Sequence, residues 1–339
     1  MMRLRILCFA ALMAVANIGS SQEHPFMALE GREFPAGVSR LALVVWAESY
    51  RNHSRVHNAE SDGSRIAQEL SKLPFDFLRV IPDAKTADEI YDGVSELRAQ
   101  IAASSRPVVV LFYFAGHGFQ VDGENFLVPT TASSDSTSAL VADSAKLTDI
   151  SRQLNPSRQS GILLMLLDSC RTVRFLEDGT VKDFPLKDGL EPGFREGNLL
   201  APALVSMAAA PRYPARSVSR FENGKNSPYT TALASRINTV GQSLMSLLEG
   251  TQKQVIQDTD QTQRPTWFNG AIGSKVFFKP RDVELLDDER AWRVVVGRPE
   301  NVRGCVLDYL LTYPIGRYAL QAEYMLRIAG VGDEYCSVN

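Results

Sequence analysis

A mostly parallel α/β sheet covered by helices on both faces, with a small helical extension behind it, is the fold class this sequence predicts. Three observations carry it. Near-continuous apolar runs rich in β-branched residues read as strands buried on both sides. Amphipathic stretches of helical period alternate with them. Beyond Pro280 the pattern changes to helices alone.

The first segment is set aside before any fold is read. Met1 to Arg5 carries two positive charges, and Ile6 to Ile18 is a short apolar run followed by Gly19, Ser20 and Ser21. Residues 1–21 therefore read as a secretory signal peptide, and the expected location of the mature chain is periplasmic or extracellular. The apolar run is shorter than the roughly 20 residues a membrane helix needs, so no stable membrane insertion is expected after cleavage; an uncleaved membrane anchor is the competing reading.

In chain order, Leu41 to Trp46 is a continuous apolar strand. Ser61 to Leu73 places Ile66, Leu70 and Leu73 near helical spacing, and Phe75 to Ile81 is strand-like. Ala87 to Ala103 carries Ile90, Val94, Leu97 and Ile101 at steps of four and three. Pro107 opens the strand Val108 to Phe114; Lys146 to Leu154 looks helical; Ile162 to Leu167 is a short apolar strand. Further on, Leu285 to Val296, Val302 to Tyr313 and Arg317 to Ala329 look helical, with Pro314 and Gly316 between the last two. The expected domains are 39–280 and a helical extension over 281–339.

Composition excludes several classes. The chain has 339 residues, 45% hydrophobic and 22% charged, which argues against disorder and against a polytopic membrane protein. A net charge of −3 gives no reason to expect nucleic acid as a partner. Removing the leader leaves Cys170, Cys305 and Cys336. An odd number in an oxidising compartment implies one thiol outside a disulfide. Cys305 and Cys336 lie close together near the C-terminus and are expected to pair; Cys170 stands apart.

Ligands of open α/β sheets bind at the carboxyl ends of the strands. Two polar clusters fall there: Ala115, Gly116, His117, Gly118 after one strand, and Asp168, Ser169, Cys170, Arg171 after another. If these strands are neighbours, a thiol and an imidazole meet at one sheet edge, a nucleophile beside a proton acceptor and donor.

The segments Tyr113-Phe-Ala-Gly-His-Gly-Phe-Gln-Val-Asp-Gly, Asn125-Phe-Leu-Val-Pro and Leu166-Leu-Asp-Ser-Cys-Arg resemble those of bacterial caspase homologues and metacaspases. Leu41-Ala-Leu-Val-Val, Tyr50, Asn58 and Asp62 fall where that family has its first strand and the Asn-Asp pair opening its first helix. Asn226-Ser-Pro-Tyr-Thr-Thr-Ala-Leu resembles its downstream helix signature. The likeness covers about Ser39 to Pro280. It implies a caspase-type three-layer α/β sandwich and a cysteine endopeptidase with His117 and Cys170 as the dyad. The backbone N–H groups of Gly118 and Cys170 are the implied oxyanion hole. Asp168, joined by Asp62, would bind a substrate arginine or lysine, the substrate being a peptide or protein. Two alternatives stay open, a catalytically silent binding or scaffold protein of the same fold and a legumain-like or gingipain-like peptidase.

Two departures stand out. Trp46-Ala47 replaces the Gly-Asn that usually follows the first strand, and Gly63 replaces a common alanine. Neither touches the dyad. His53 and His57 lie four apart near Glu60 and Asp62, but in a loop, so no metal is assigned. No cofactor is expected, and calcium dependence is left open. Lys182, Lys187 and Arg195, in the polar stretch from Glu177 to Gly197, are candidate self-cleavage points. The C-terminal helices read equally as a packing cap and as a module for a protein partner.

Overall fold

The computed structural model describes residues 37–156, 161–170, 190–191, 203–210, 215–220, 222–269, 275–298 and 302–328. The expected signal peptide, the three candidate self-cleavage residues and Cys336 lie outside them.

The central sheet has the strand order β2-β1-β3-β6-β8-β9. Its members are β1 (Ser39–Trp46), β2 (Phe77–Ile81), β3 (Val108–Val121), β6 (Gly161–Cys170), β8 (Ala203–Met207) and β9 (Thr266–Asn269). All pair in parallel except β9, which runs antiparallel to β8. Parallel neighbours need crossovers, and helices supply them. Between them run α1 (Ala59–Leu70), α2 (Ala87–Ala103), α3 (Thr137–Asp143), α4 (Leu147–Leu154), α5 (Pro228–Ala234) and α6 (Leu244–Asp258).

Side-chain alternation along the strands builds two cores. Leu43, Val110, Phe112, Phe114 and Met165 face Ile90, Val94 and Leu97 of α2 and Ile150 of α4. Their neighbours Val44, Leu111, Tyr113 and Leu164 face Ile66 of α1, Leu233 of α5 and Leu248 of α6. The result is a three-layer sandwich.

Several expected boundaries shift. α2 occupies the expected span, whereas β3 does not stop at Phe114. It runs on through His117 to Val121 and returns as β4 (Glu124–Leu127), an antiparallel hairpin around Asp122 and Gly123, both at positive φ (50° and 79°). β4 in turn pairs with β5 (Ala145–Lys146), and β7 (Leu190–Glu191) pairs with the end of β3. His117 thus lies within a strand, held by the hairpin that extends it. Cys170 is likewise the last residue of β6, not a residue beyond it.

Beyond the sheet, α7 (Asp282–Val296), α8 (Val302–Thr312) and α9 (Ala319–Ile328) share a third cluster around Trp292, Val306, Tyr309 and Met325. Trp292 stacks on Tyr318 with ring centroids 5.1 Å apart. The buried Asp288 carboxylate accepts from Tyr309 Oη at 2.5 Å and from Arg317 N at 2.6 Å. Cys305 is buried and disulfide-bonded. Ile315 reaches back into the core beside α1, α5 and α6.

The two departures noted in the sequence are one structural feature. A Cβ on Gly63 would lie 2.3 Å from Trp46 Cε3, so the indole occupies the space an alanine methyl would need. Tryptophan at the end of β1 therefore requires glycine on the facing turn of α1. Gly63→Ala is expected to lower stability by about 1–3 kcal/mol through overpacking, measured as a urea midpoint. Trp46→Leu in the same chain should recover part of that loss. An unchanged midpoint in the single variant would refute the coupling.

Candidate active site

β3 and β6 pair in parallel from Val108↔Gly161 to the last register pair, His117↔Cys170. The backbones carrying imidazole and thiol therefore lie side by side at the carboxyl end of the sheet. Strand spacing there is about 4.8 Å. Gly118, the next residue, pairs instead with Leu127 of the hairpin.

The His117 ring is held by Ser54 and Tyr50. Its Nε2 lies 2.8 Å from the Ser54 carbonyl oxygen. A carbonyl can only accept, so Nε2 carries the proton and Nδ1 keeps its lone pair. The Tyr50 ring packs against the imidazole, centroids 4.5 Å apart. Tyr50 Oη accepts from His117 N at 2.8 Å and donates to Val128 O at 3.0 Å. Gly116 permits this approach, because a Cβ there would come within 2.8 Å of the Tyr50 hydroxyl. Desolvation depresses the imidazole pKa to about 4; the Ser54 carbonyl opposes the shift and His53 adds to it. The ring is neutral above that pH and able to accept a proton.

Asp62 and Asp168 come together although they are far apart in sequence. Asp62 sits on α1 and Asp168 on β6, and both are buried. Ser227 joins them: its backbone N–H donates to Asp62 Oδ1 at 2.9 Å, and its hydroxyl donates to Asp168 Oδ2. Asn226 Nδ2 donates a second bond to Asp62 Oδ1 at 2.9 Å. Thr230 Oγ1 donates to Asp168 Oδ2 at 2.7 Å and takes a bond from Tyr113 Oη at 2.6 Å. The carboxyls line one small pocket with His57, Gly116, Arg216 and Ser227.

Burial pushes Asp168 up to about 6, against the hydrogen bonds from Ser227 and Thr230. Asp62 is raised well above the ordinary carboxylate range, first by burial and then by the charge of Asp168. Two acids in one desolvated pocket cannot both ionise cheaply.

Ser227, Thr230, Asn226, Tyr113, Ser54 and Glu48 carry no site assignment from sequence. Ser227-Pro228 is a readable signal, an N-cap serine followed by proline at the first helical position, and Ser227 Oγ does accept from Thr230 N at 2.9 Å. Ser54 acts through its backbone, which no residue type announces. His53 is half-buried and His57 exposed. Among the described residues no group of three or more His, Cys, Asp or Glu could hold a metal ion.

The family model described as Caspase domain, a peptidase family, matches residues 39–277. The chain is similar to the Homo sapiens protein "Mucosa-associated lymphoid tissue lymphoma translocation protein 1", 24% identical over 168 residues, which is 50% of this chain and 19% of that protein. It is likewise similar to the Mus musculus homologue, 24% identical over 157 residues, 46% of this chain and 17% of that protein. The matches thus span less than a fifth of the length of these curated relatives.

The raised carboxyls fix the sign of a stability effect. A group whose pKa is higher in the folded state stabilises fully below its unfolded value, and that contribution is lost as pH rises through the folded value, about 6 for Asp168. Asp168→Asn removes this penalty while keeping an acceptor for Ser227 and Thr230. The melting temperature of the variant relative to the parent is therefore expected to rise between pH 4 and pH 8. A difference independent of pH would show that the carboxyl is not protonated in the folded chain.

Proposed function

Since this chain belongs to the caspase domain family of cysteine peptidases, we propose that it is an endopeptidase acting through a His117–Cys170 dyad and cleaving after arginine or lysine. One observation carries the reading: the last register pair of β3 and β6 joins His117 to Cys170, two residues beyond a buried acid, Asp168, that shares Ser227 with Asp62.

In this mechanism neutral His117 takes the Cys170 proton on Nδ1, since Nε2–H is committed to Ser54. The thiolate attacks the scissile carbonyl carbon, a C–S bond forms, and the oxyanion is met by the N–H groups of Gly118 and Cys170. Collapse breaks the C–N bond, and the imidazolium gives its proton to the departing amine. Water activated by His117 then hydrolyses the thioester.

The substrate side chain enters beside Asp62 and Asp168. A guanidinium meets both carboxylates with a planar fork, whereas lysine offers a single point charge, so arginine is preferred. An aspartate would add a third like charge to a desolvated pocket. The disulfide at Cys305 supports an exported protein, because such bonds persist in oxidising compartments.

Cys170→Ala and His117→Ala are each expected to abolish cleavage of arginine and lysine peptides while leaving the circular dichroism spectrum unchanged. Turnover by Cys170→Ala would overturn the dyad.

Specificity is checked separately on the pocket. Asp168→Ala should lower kcat/KM after arginine at least about tenfold, equivalent to about 1.4 kcal/mol of transition-state binding. For the parent, kcat/KM reports groups of the free enzyme. The cation needs ionised carboxyls, so kcat/KM for an arginine substrate should climb with pH through about 6, where Asp168 loses its proton. Efficient cleavage after aspartate with none after arginine or lysine would show the pocket misread.

A further inference from the structure

Both groups that hold the His117 side chain, Tyr50 and Ser54, come from the loop between β1 and α1, and a single buried carboxylate closes that loop. Glu48 is 5% exposed. Its Oε1 accepts from Arg55 Nε at 2.9 Å and from Arg55 Nη2, tying together two residues seven apart. Its Oε2 accepts from Glu60 N, in the first turn of α1, at 2.8 Å. The Glu48 backbone carbonyl takes bonds from Tyr50 N and Val56 N, each at 3.2 Å. From the other side Asp83 Oδ1 accepts from Glu48 N at 2.8 Å and Ser49 N at 3.0 Å.

We infer that Glu48 is a positioning residue of the site: by clasping Arg55 and the start of α1 it keeps the Ser54 carbonyl against His117 Nε2, which fixes the imidazole tautomer.

The pair is asymmetric in a way that makes the clasp strong. Exposed ion pairs contribute little, because either partner can return to water. Here the Arg55 side chain is 61% exposed and the Glu48 side chain only 6%. The carboxylate has no water to fall back on, and opening the loop would strip a buried anion of its donors. Ser54 directly precedes two residues tied to Glu48, Arg55 through its guanidinium and Val56 through its backbone N–H, so both ties restrict where the Ser54 carbonyl can lie. Glu48 touches no reacting atom, and its effect on chemistry passes through Ser54. Its charge also reaches Asp62, adding to the upward shift of that carboxyl.

The inference rests on the reading of His117 as the base, and its test separates the two. Full-length chain labelled with ¹⁵N-histidine reports each imidazole tautomer by NMR, with His117→Ala assigning the resonance. The parent should show Nε2–H at His117. Glu48→Gln and, in case that buried substitution disturbs folding, the exposed Arg55→Met should both mix in the Nδ1–H form, with Arg55→Lys restoring most of the parent pattern. In the same variants kcat on an arginine peptide should fall at least about tenfold with KM nearly unchanged, because the wrong tautomer disables the base. An unaltered tautomer in both variants overturns the role of Glu48. Full activity of His117→Ala would instead overturn the assignment of the base, while the tautomer comparison would still decide the clasp.

Discussion

The pairing of β3 with β6 is the constraint on which the site depends. Their register determines that His117 meets Cys170 and that Ala115 meets Asp168. Both faces of these strands are apolar, so alternation of polar and apolar residues cannot by itself fix the register. Shape and one hydroxyl do so. Phe112 and Phe114 fill the core against α2 and α4, while Tyr113 faces the opposite layer and hands its proton to Thr230. Slipping the strand by one residue would bury that hydroxyl among aliphatic side chains without a partner, at a cost of about 1–3 kcal/mol, besides exchanging rings for smaller groups. The Tyr113, Thr230 and Asp168 chain is thus a register pin and part of the pocket at once.

The pocket is assembled from three elements. β6 brings Asp168, α1 brings Asp62, and the start of α5 brings Ser227 between them. The depth at which α1 lies is set by Trp46 against Gly63, one residue from Asp62. At its head, Asn58 donates to the Ser217 and Gly224 carbonyls at 2.7 and 2.9 Å, fastening α1 to the segment that leads into Ser227. A substitution pair that looks like drift in the first strand and helix therefore sits beside the acid that lines the pocket.

Much of this was legible in the sequence, and the rest was hidden for physical reasons. α2 was readable to the residue because Ile90, Val94, Leu97 and Ile101 form an uninterrupted stripe with Thr86 capping its start. His117 and Cys170 stood out because polar residues at the ends of buried strands are rare without a task. β3 was cut short because Gly116, His117 and Gly118 resemble the end of a strand. The Asp122-Gly123 turn is a strong hairpin signal, and it is this turn that brings β4 back against β3. β8 and β9 are too short for their periodicity to speak, and the buried face of α6 carries Thr251 and Asp258 among Leu244, Leu247, Leu248 and Val255, which interrupts its apolar stripe. Ser54 and Glu48 were beyond reach for a different cause: one acts through a backbone carbonyl, and the other is a charged loop residue whose burial only the folded chain reveals.

A carboxylate two residues from the cysteine proposed as nucleophile poses an apparent contradiction, since a nearby negative charge raises the pKa of a thiol and blunts it. The raised carboxyls resolve it. With the pocket empty, Asp168 keeps its proton up to about pH 6, and above that its charge holds the proton on Asp62, so two bare carboxylates do not stand together in the pocket. In the proposed reading, the second negative charge develops only when a guanidinium enters to neutralise it, and the thiol never faces a bare pair of anions. Ionising the carboxyls then consumes part of the energy of binding the cation. Discrimination between arginine and a neutral side chain of the same shape is accordingly smaller than a preformed ion pair would give, and it grows with pH as that cost disappears. Thr230 and Ser227 set the size of the cost, because every hydrogen bond they donate to Asp168 favours its ionised form.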